Sequence, residues 1–126
     1  MNKKDSQLFD VVKQNDAIAV KEFIKKGADV NARDEEGLTP LMTASSKNYK
    51  NLAEILISEG ADVSTRDTQG FTALIWAASE NRKEIAELLI SNGADVNAKD
   101  DMGGTPLSWA GSKDMADFLK SQGAKE

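Results

Sequence analysis

A 33-residue period governs this sequence. The tetrapeptide Gly-Ala-Asp-Val begins at Gly27, Gly60 and Gly93, and Asp-x-x-Gly begins at Asp34, Asp67 and Asp100, so two markers recur at one spacing and in one phase. A fourth, shorter copy ends at Gly123-Ala124, 30 residues after Gly93. A period of roughly 20 to 50 residues marks an array in which each unit is one supersecondary structure that buries its apolar face only by stacking on its neighbours. An ordinary helical bundle has no reason to keep its turn residues in such a phase.

Each unit has a physical reading. Thr39-Pro40-Leu41, Thr72-Ala73-Leu74 and Thr105-Pro106-Leu107 are helix starts, with Thr as N-cap and Pro at the first helical position, where its missing N–H costs nothing. A short helix rich in small residues follows, through Ala44-Ser45 and Ala77-Ala78. It should end at Asn48 and Asn81, and at Asn15 in the first copy, because Asn best tolerates the left-handed backbone among non-glycine residues. A second helix carries Leu52, Ile55 and Leu56, then Ile85, Leu88 and Leu89, one buried stripe at i, i+3, i+4 spacing. Gly60, Gly93 and Gly123 close these helices, and Asp-x-x-Gly is a tight turn between units.

The run from Asp67-Thr68-Gln69-Gly70-Phe71-Thr72-Ala73-Leu74 through Gly93-Ala94-Asp95-Val96-Asn97-Ala98 closely resembles an ankyrin repeat, and the resemblance extends from about Gln7 to Ala124. It implies an all-α repeat solenoid of inner helix, outer helix and a projecting β-turn or hairpin finger. It also implies a protein-binding scaffold that uses the finger tips and the concave face of the inner helices. The expected organisation is a single domain over 1–126: an N-terminal capping repeat at 7–33, full repeats at 34–66 and 67–99, and a shortened C-terminal capping repeat at 100–126. Polar residues at both ends suggest a complete array. The family usually places His after Thr-Pro-Leu to bond the threonine. Here Met42, Ile75 and Ser108 stand in that place, so apolar packing must replace the bond at the first two and rigidity is expected to suffer.

Composition narrows the function. The net charge is −5, with 16 basic and 21 acidic residues, which disfavours nucleic acid and anionic membrane surfaces. There is no Cys and no His, so disulfides, thiolate chemistry and the commonest general base and metal ligand are all excluded. No stretch is apolar enough to span a membrane. Met1-Asn2-Lys3-Lys4-Asp5 has the basic start of a secretory signal without the apolar run that should follow. The default compartment is the cytoplasm, or the periplasm or exterior if a signal peptide has been trimmed. Gly103-Gly104-Thr105 lacks the Lys of a phosphate loop and is a turn before a helix. Asp100, Asp101, Asp114 and Asp117 have no calcium-loop spacing and are expected to be solvated surface. No cofactor, no metal and no enzymatic activity are expected, and the free chain is expected to be a monomer.

The candidate partner-binding residues follow from phase. Trp76 and Trp109 are 33 residues apart and share a site with Asp10 and Thr43. By the resemblance this ladder lies on the concave side of the inner helices. Phe71 stands at a finger base and Met102 at a finger tip. Trp suits a binding hot spot because it combines a large apolar area with a polar edge. The alternative is that both tryptophans pack between repeats as core. Arg33, Arg66 and Lys99 form a basic finger ladder beside Glu35, Glu36 and Asp101, with Gln69 at one tip. This is either a charged binding rim or a solvated turn. The expected function is a non-enzymatic protein-interaction module. The alternative is a dedicated inhibitor or immunity-type protein that blocks, or protects against, one enzyme.

Overall fold

The computed structural model describes residues 1–126. The helices are α1 (Lys3–Lys13), α2 (Ala17–Lys25), α3 (Pro40–Ser46), α4 (Lys50–Ser58), α5 (Ala73–Ser79), α6 (Lys83–Ser91), α7 (Pro106–Trp109) and α8 (Lys113–Ser121), and there are no strands. They form four antiparallel pairs. The inner helices pack in the order α1, α3, α5, α7, and α2, α4 and α6 pack in a second row behind them. Lys83 on α6 lies 5.6 Å from the centre of the Phe118 ring on α8 and joins the last pair to that row. One apolar core runs through the array, with Leu8, Leu41, Leu74, Leu89 and Leu119 among its buried members. No helix is long and apolar enough to cross a membrane.

The punctuation works as its chemistry requires. The Oγ1 atoms of Thr39 and Thr72 accept the N–H groups of Met42 and Ile75, both at 3.2 Å. Asn15, Asn48 and Asn81 take φ of 55°, 65° and 61° and turn the chain from each inner helix into its outer one. Gly60, Gly93 and Gly123 take φ near 97°, 94° and 99° after the outer helices. Met42 and Ile75 are 2% and 0% exposed. Full burial of such a side chain contributes about 1.5–3 kcal/mol, against about 0.5–1.5 kcal/mol for the missing histidine hydrogen bond, so stability need not suffer. At the third position Ser108 keeps a polar cap: its N–H donates to Thr105 Oγ1 and its Oγ accepts the Thr105 N–H at 2.7 Å.

The start of the first helix differs from the sequence reading, and it and two further features have local causes. The first inner helix begins at Lys3, ahead of Gln7, because Asn2 caps it by accepting the Asp5 N–H. The start of the chain is therefore helical, with Lys4 Nζ donating to the Lys26 carbonyl and Asp5 accepting the Asp29 N–H. Of the two finger forms that the resemblance implies, the chain takes the turn: in the first, Asp34 N–H donates to Leu38 O and Gly37 N–H to Asp34 O. The shortening of the last unit falls on its inner helix, four residues in α7 against seven in α5. Gly111, just past the C-cap Ala110, donates its N–H to Ala78 O. A Cβ there would lie 2.8 Å from Ser79 O, so the truncated helix needs glycine to tuck under α5.

Asparagines staple neighbouring units at the base of the fingers. Asn31 donates from Nδ2 to Gly60 O and accepts the Asp62 N–H. Asn97 does the same with Gly123 O and Lys125 N–H. Ser64 holds the equivalent place between the second and third pairs and reaches neither Gly93 nor Asp95. An open cavity of about 370 Å³, lined in part by Ser64, Asp95 and Asn97, lies there instead. Ser64→Asn should restore both hydrogen bonds and raise stability by about 1 kcal/mol after the cost of ordering the side chain. Urea denaturation checks this; an unchanged or lower midpoint at equal slope would contradict it.

Candidate functional site

The finger aspartates build the site. Asp67 Oδ1 accepts the N–H groups of Gln69 and Phe71 at 2.9 and 3.0 Å, and Asp100 Oδ1 accepts those of Met102 and Gly104 at 2.9 and 2.7 Å. In each turn the second carboxylate oxygen reaches past the helix start. Asp67 Oδ2 accepts the Trp76 Nε1–H at 3.1 Å, and Asp100 Oδ2 accepts the Trp109 Nε1–H at 2.7 Å. Both pairs are nine residues apart. A Cβ at position 104 would lie 2.5 Å from Trp109 Nε1, so Gly104 lets the second indole close onto its carboxylate.

Phe71 joins the two repeats. Its ring centre is 5.3 Å from that of Trp76 and 5.1 Å from that of Trp109, tilted by 56° and 58°. Such tilted pairs contribute about 0.5–1.5 kcal/mol beyond area burial. Trp76 is half-buried against the core, whereas Trp109 is 44% exposed. The indoles are therefore held at their polar edges and braced by Phe71, on the side of the inner helices that faces the fingers. Thr43 of α3 is half-buried beside them and lines, with Trp76, a further cleft.

The structure does not bring every candidate to this stack. Met102 stands 93% exposed at the tip of the last finger, apart from the rings. Arg33 and Arg66 are occupied as staples: Arg33 Nη2 donates to Arg66 O at 2.6 Å and Arg66 Nη2 to Lys99 O at 2.8 Å, each residue reaching its own counterpart one repeat on. Arg66 also pairs with Asp101 at 3.3 Å. Gln69 is exposed, and its carbonyl accepts the Asp101 N–H from the next finger. Of the four acids read as solvated surface, Asp100 is instead buried, at 5% exposure, because turn N–H groups and an indole surround its carboxylate. Asp117 pairs with Lys113 at 2.8 Å. No group of three or more acidic side chains is arranged to hold a metal ion.

A family model described as ankyrin repeats, in three copies, matches residues 8–100. The chain belongs to the ankyrin-repeat family. Ankyrin repeats are in general protein–protein interaction modules. Helices α7 and α8 lie beyond the matched residues. No curated protein matches the chain.

The aspartate–tryptophan pairing within these ankyrin units was open to detection, since tryptophan follows each of the last two finger aspartates at the same offset of nine residues and Thr43 takes that place after Asp34. It has a consequence in acid. Burial pushes the Asp100 carboxyl up, but the Gly104 N–H, the Trp109 indole, the Met102 N–H and the Arg66 guanidinium together hold it below the ordinary value of 3.8. A lowered folded-state value means that the carboxylate's contribution is present above the unfolded value and is lost as pH falls through the folded one. Asp100→Asn should therefore destabilise the protein at neutral pH, and the gap from wild type should narrow as pH drops from about 5 towards 3. Denaturant titrations across that range check this; a gap independent of pH would contradict it.

Proposed function

We propose that this chain is a non-enzymatic binding module that seats one partner protein on the finger side of its inner helices, with Trp76 and Trp109 as anchors and Phe71 as their brace. The observation that carries the reading is the pair of indoles whose N–H groups are already bonded while ring surface stays at the exterior. A partner covering these rings removes apolar area from water without stranding a buried donor. The rings are also held in place before contact, so little side-chain freedom is lost on binding. Thr43 continues the surface towards the first repeat. Met102 and Gln69 stand at the finger tips, where they would meet the partner as a rim around this patch, while Arg33 and Arg66 brace the fingers that carry it. One patch on a short array suits one partner, whose activity would change because a surface of it is covered.

The test begins with affinity capture from the source cell and identification of the partner by mass spectrometry. Trp109→Ala should then weaken binding to that partner roughly thirty-fold, the loss expected for a hot-spot aromatic, while circular dichroism shows the helices intact. Trp76→Ala should weaken binding and also lower the melting temperature, since this ring is half-buried. Undiminished binding by the folded double variant would overturn the anchor assignment.

A further inference from the structure

The same face carries a second feature at its amino-terminal end. Leu38, Met42, Thr43 and Trp76 wall a cleft of about 190 Å³, and Lys13 and Lys47 stand at its mouth with Ser46. The cleft is smaller than the roughly 300–1,000 Å³ of small-molecule pockets and matches one aliphatic side chain with room to enter. None of the ion pairs in the structure involves Lys13 or Lys47. Asp10 and Asp16 stand three residues to either side of Lys13, Glu80 is the counterpart of Lys47 one repeat on, and Arg82 donates to the carbonyl of Ser46 beside Lys47. None of these acids forms an ion pair with either lysine. The lysines are also not part of the repeat's scaffolding: Ser46 and Ser79 are the counterparts of Lys13, and Gln14 and Glu80 those of Lys47. Two unpaired cations beside an apolar slot stand out on a chain of net charge −5.

We infer that this cleft receives an acidic–apolar segment of the partner protein, in which a leucine- or valine-sized side chain enters between Met42 and Trp76 and a neighbouring aspartate or glutamate side chain pairs with Lys13 and Lys47. The inference rests on the binding face proposed above and names the chemistry that the face selects. Trp76 contributes to both parts of that face: one side is braced by Phe71, and it also forms a wall of the cleft. A partner seated on the rings is thus led into the slot, and the lysines fix its register more than they add affinity.

The test is selection of a random-peptide display library on the intact chain and on the variant Lys13→Glu with Lys47→Glu. Both lysines are exposed, so the variant should stay folded, with only a small fall in melting temperature because each lies at a helix C-terminus. The wild-type chain should enrich peptides in which Asp or Glu adjoins Leu, Ile, Val or Met. The reversed variant should bind those peptides roughly ten-fold more weakly and should enrich Lys or Arg in place of the acid. Enrichment of nothing, or of peptides bound equally by both forms, would overturn the inference. Peptides that need Trp109 and ignore the lysines would overturn it while leaving the aromatic anchors standing. Selected acidic–apolar peptides that ignore Trp109 would sustain it and count against those anchors. Concentration-dependent growth of the free chain in sedimentation, abolished by Met102→Ser, would show the slot filled by the Asp101–Met102 tip of another copy and would also overturn it.

Discussion

A carboxylate at the start of each finger is the contact on which the site depends. Asp34, Asp67 and Asp100 each use one oxygen to close a turn by accepting two backbone N–H groups. In the last two units the other oxygen holds an indole on the inner helix. Hydrogen bonds to a charged acceptor are worth about 1.5–3 kcal/mol, more than neutral ones. The finger and the helix it precedes thereby become one rigid piece. The two tryptophans inherit their positions from the turns, which is why an aromatic surface can stand at the exterior without collapsing into the core.

Linkage between units is of a different kind and is distributed. Leucines, alanines and methionines bury the continuous core, arginines reach the carbonyl of their counterpart in the next finger, and finger tips exchange single backbone hydrogen bonds from Thr68 to Glu36 and from Asp101 to Gln69. An array built in this way is a chain of neighbour interfaces. The junction at Ser64 lacks its asparagine staple and is the weakest of the three at the finger base. The aromatic stack across Phe71 lies on the far side of that junction, wholly within the third and fourth units, so the proposed anchors do not depend on it.

Much of this was legible in the residues because repetition reports backbone geometry directly. A glycine or asparagine kept in phase marks a positive φ, and Asn15, Asn48 and Asn81 have it. Thr before Pro marks a cap, and Thr39 and Thr105 serve as caps. What was harder to read is what an exposed polar residue does. Arg33 and Arg66 resemble a charged rim in sequence, yet their guanidinium groups are bonded to carbonyls 33 residues away. Asp100 resembles a solvated turn acid and is buried, because its acceptor capacity is filled by groups at offsets of two, four and nine residues. Met102 resembles part of an apolar patch and stands alone, since a finger tip lifts it off the helices. Residue type shows which bonds are available, and only the folded spacing decides which partner takes them.

The central claim is that the finger carboxylates hold the indoles in place in the free protein. Hydrogen exchange of the two Nε1–H protons, followed by nuclear magnetic resonance, tests it most directly. Both should exchange far more slowly than the indole of a free tryptophan, and Asp67→Asn should speed Trp76 while leaving Trp109 slow. Two indoles exchanging at the free rate in the wild-type protein, or a Trp76 rate unmoved by Asp67→Asn, would contradict it.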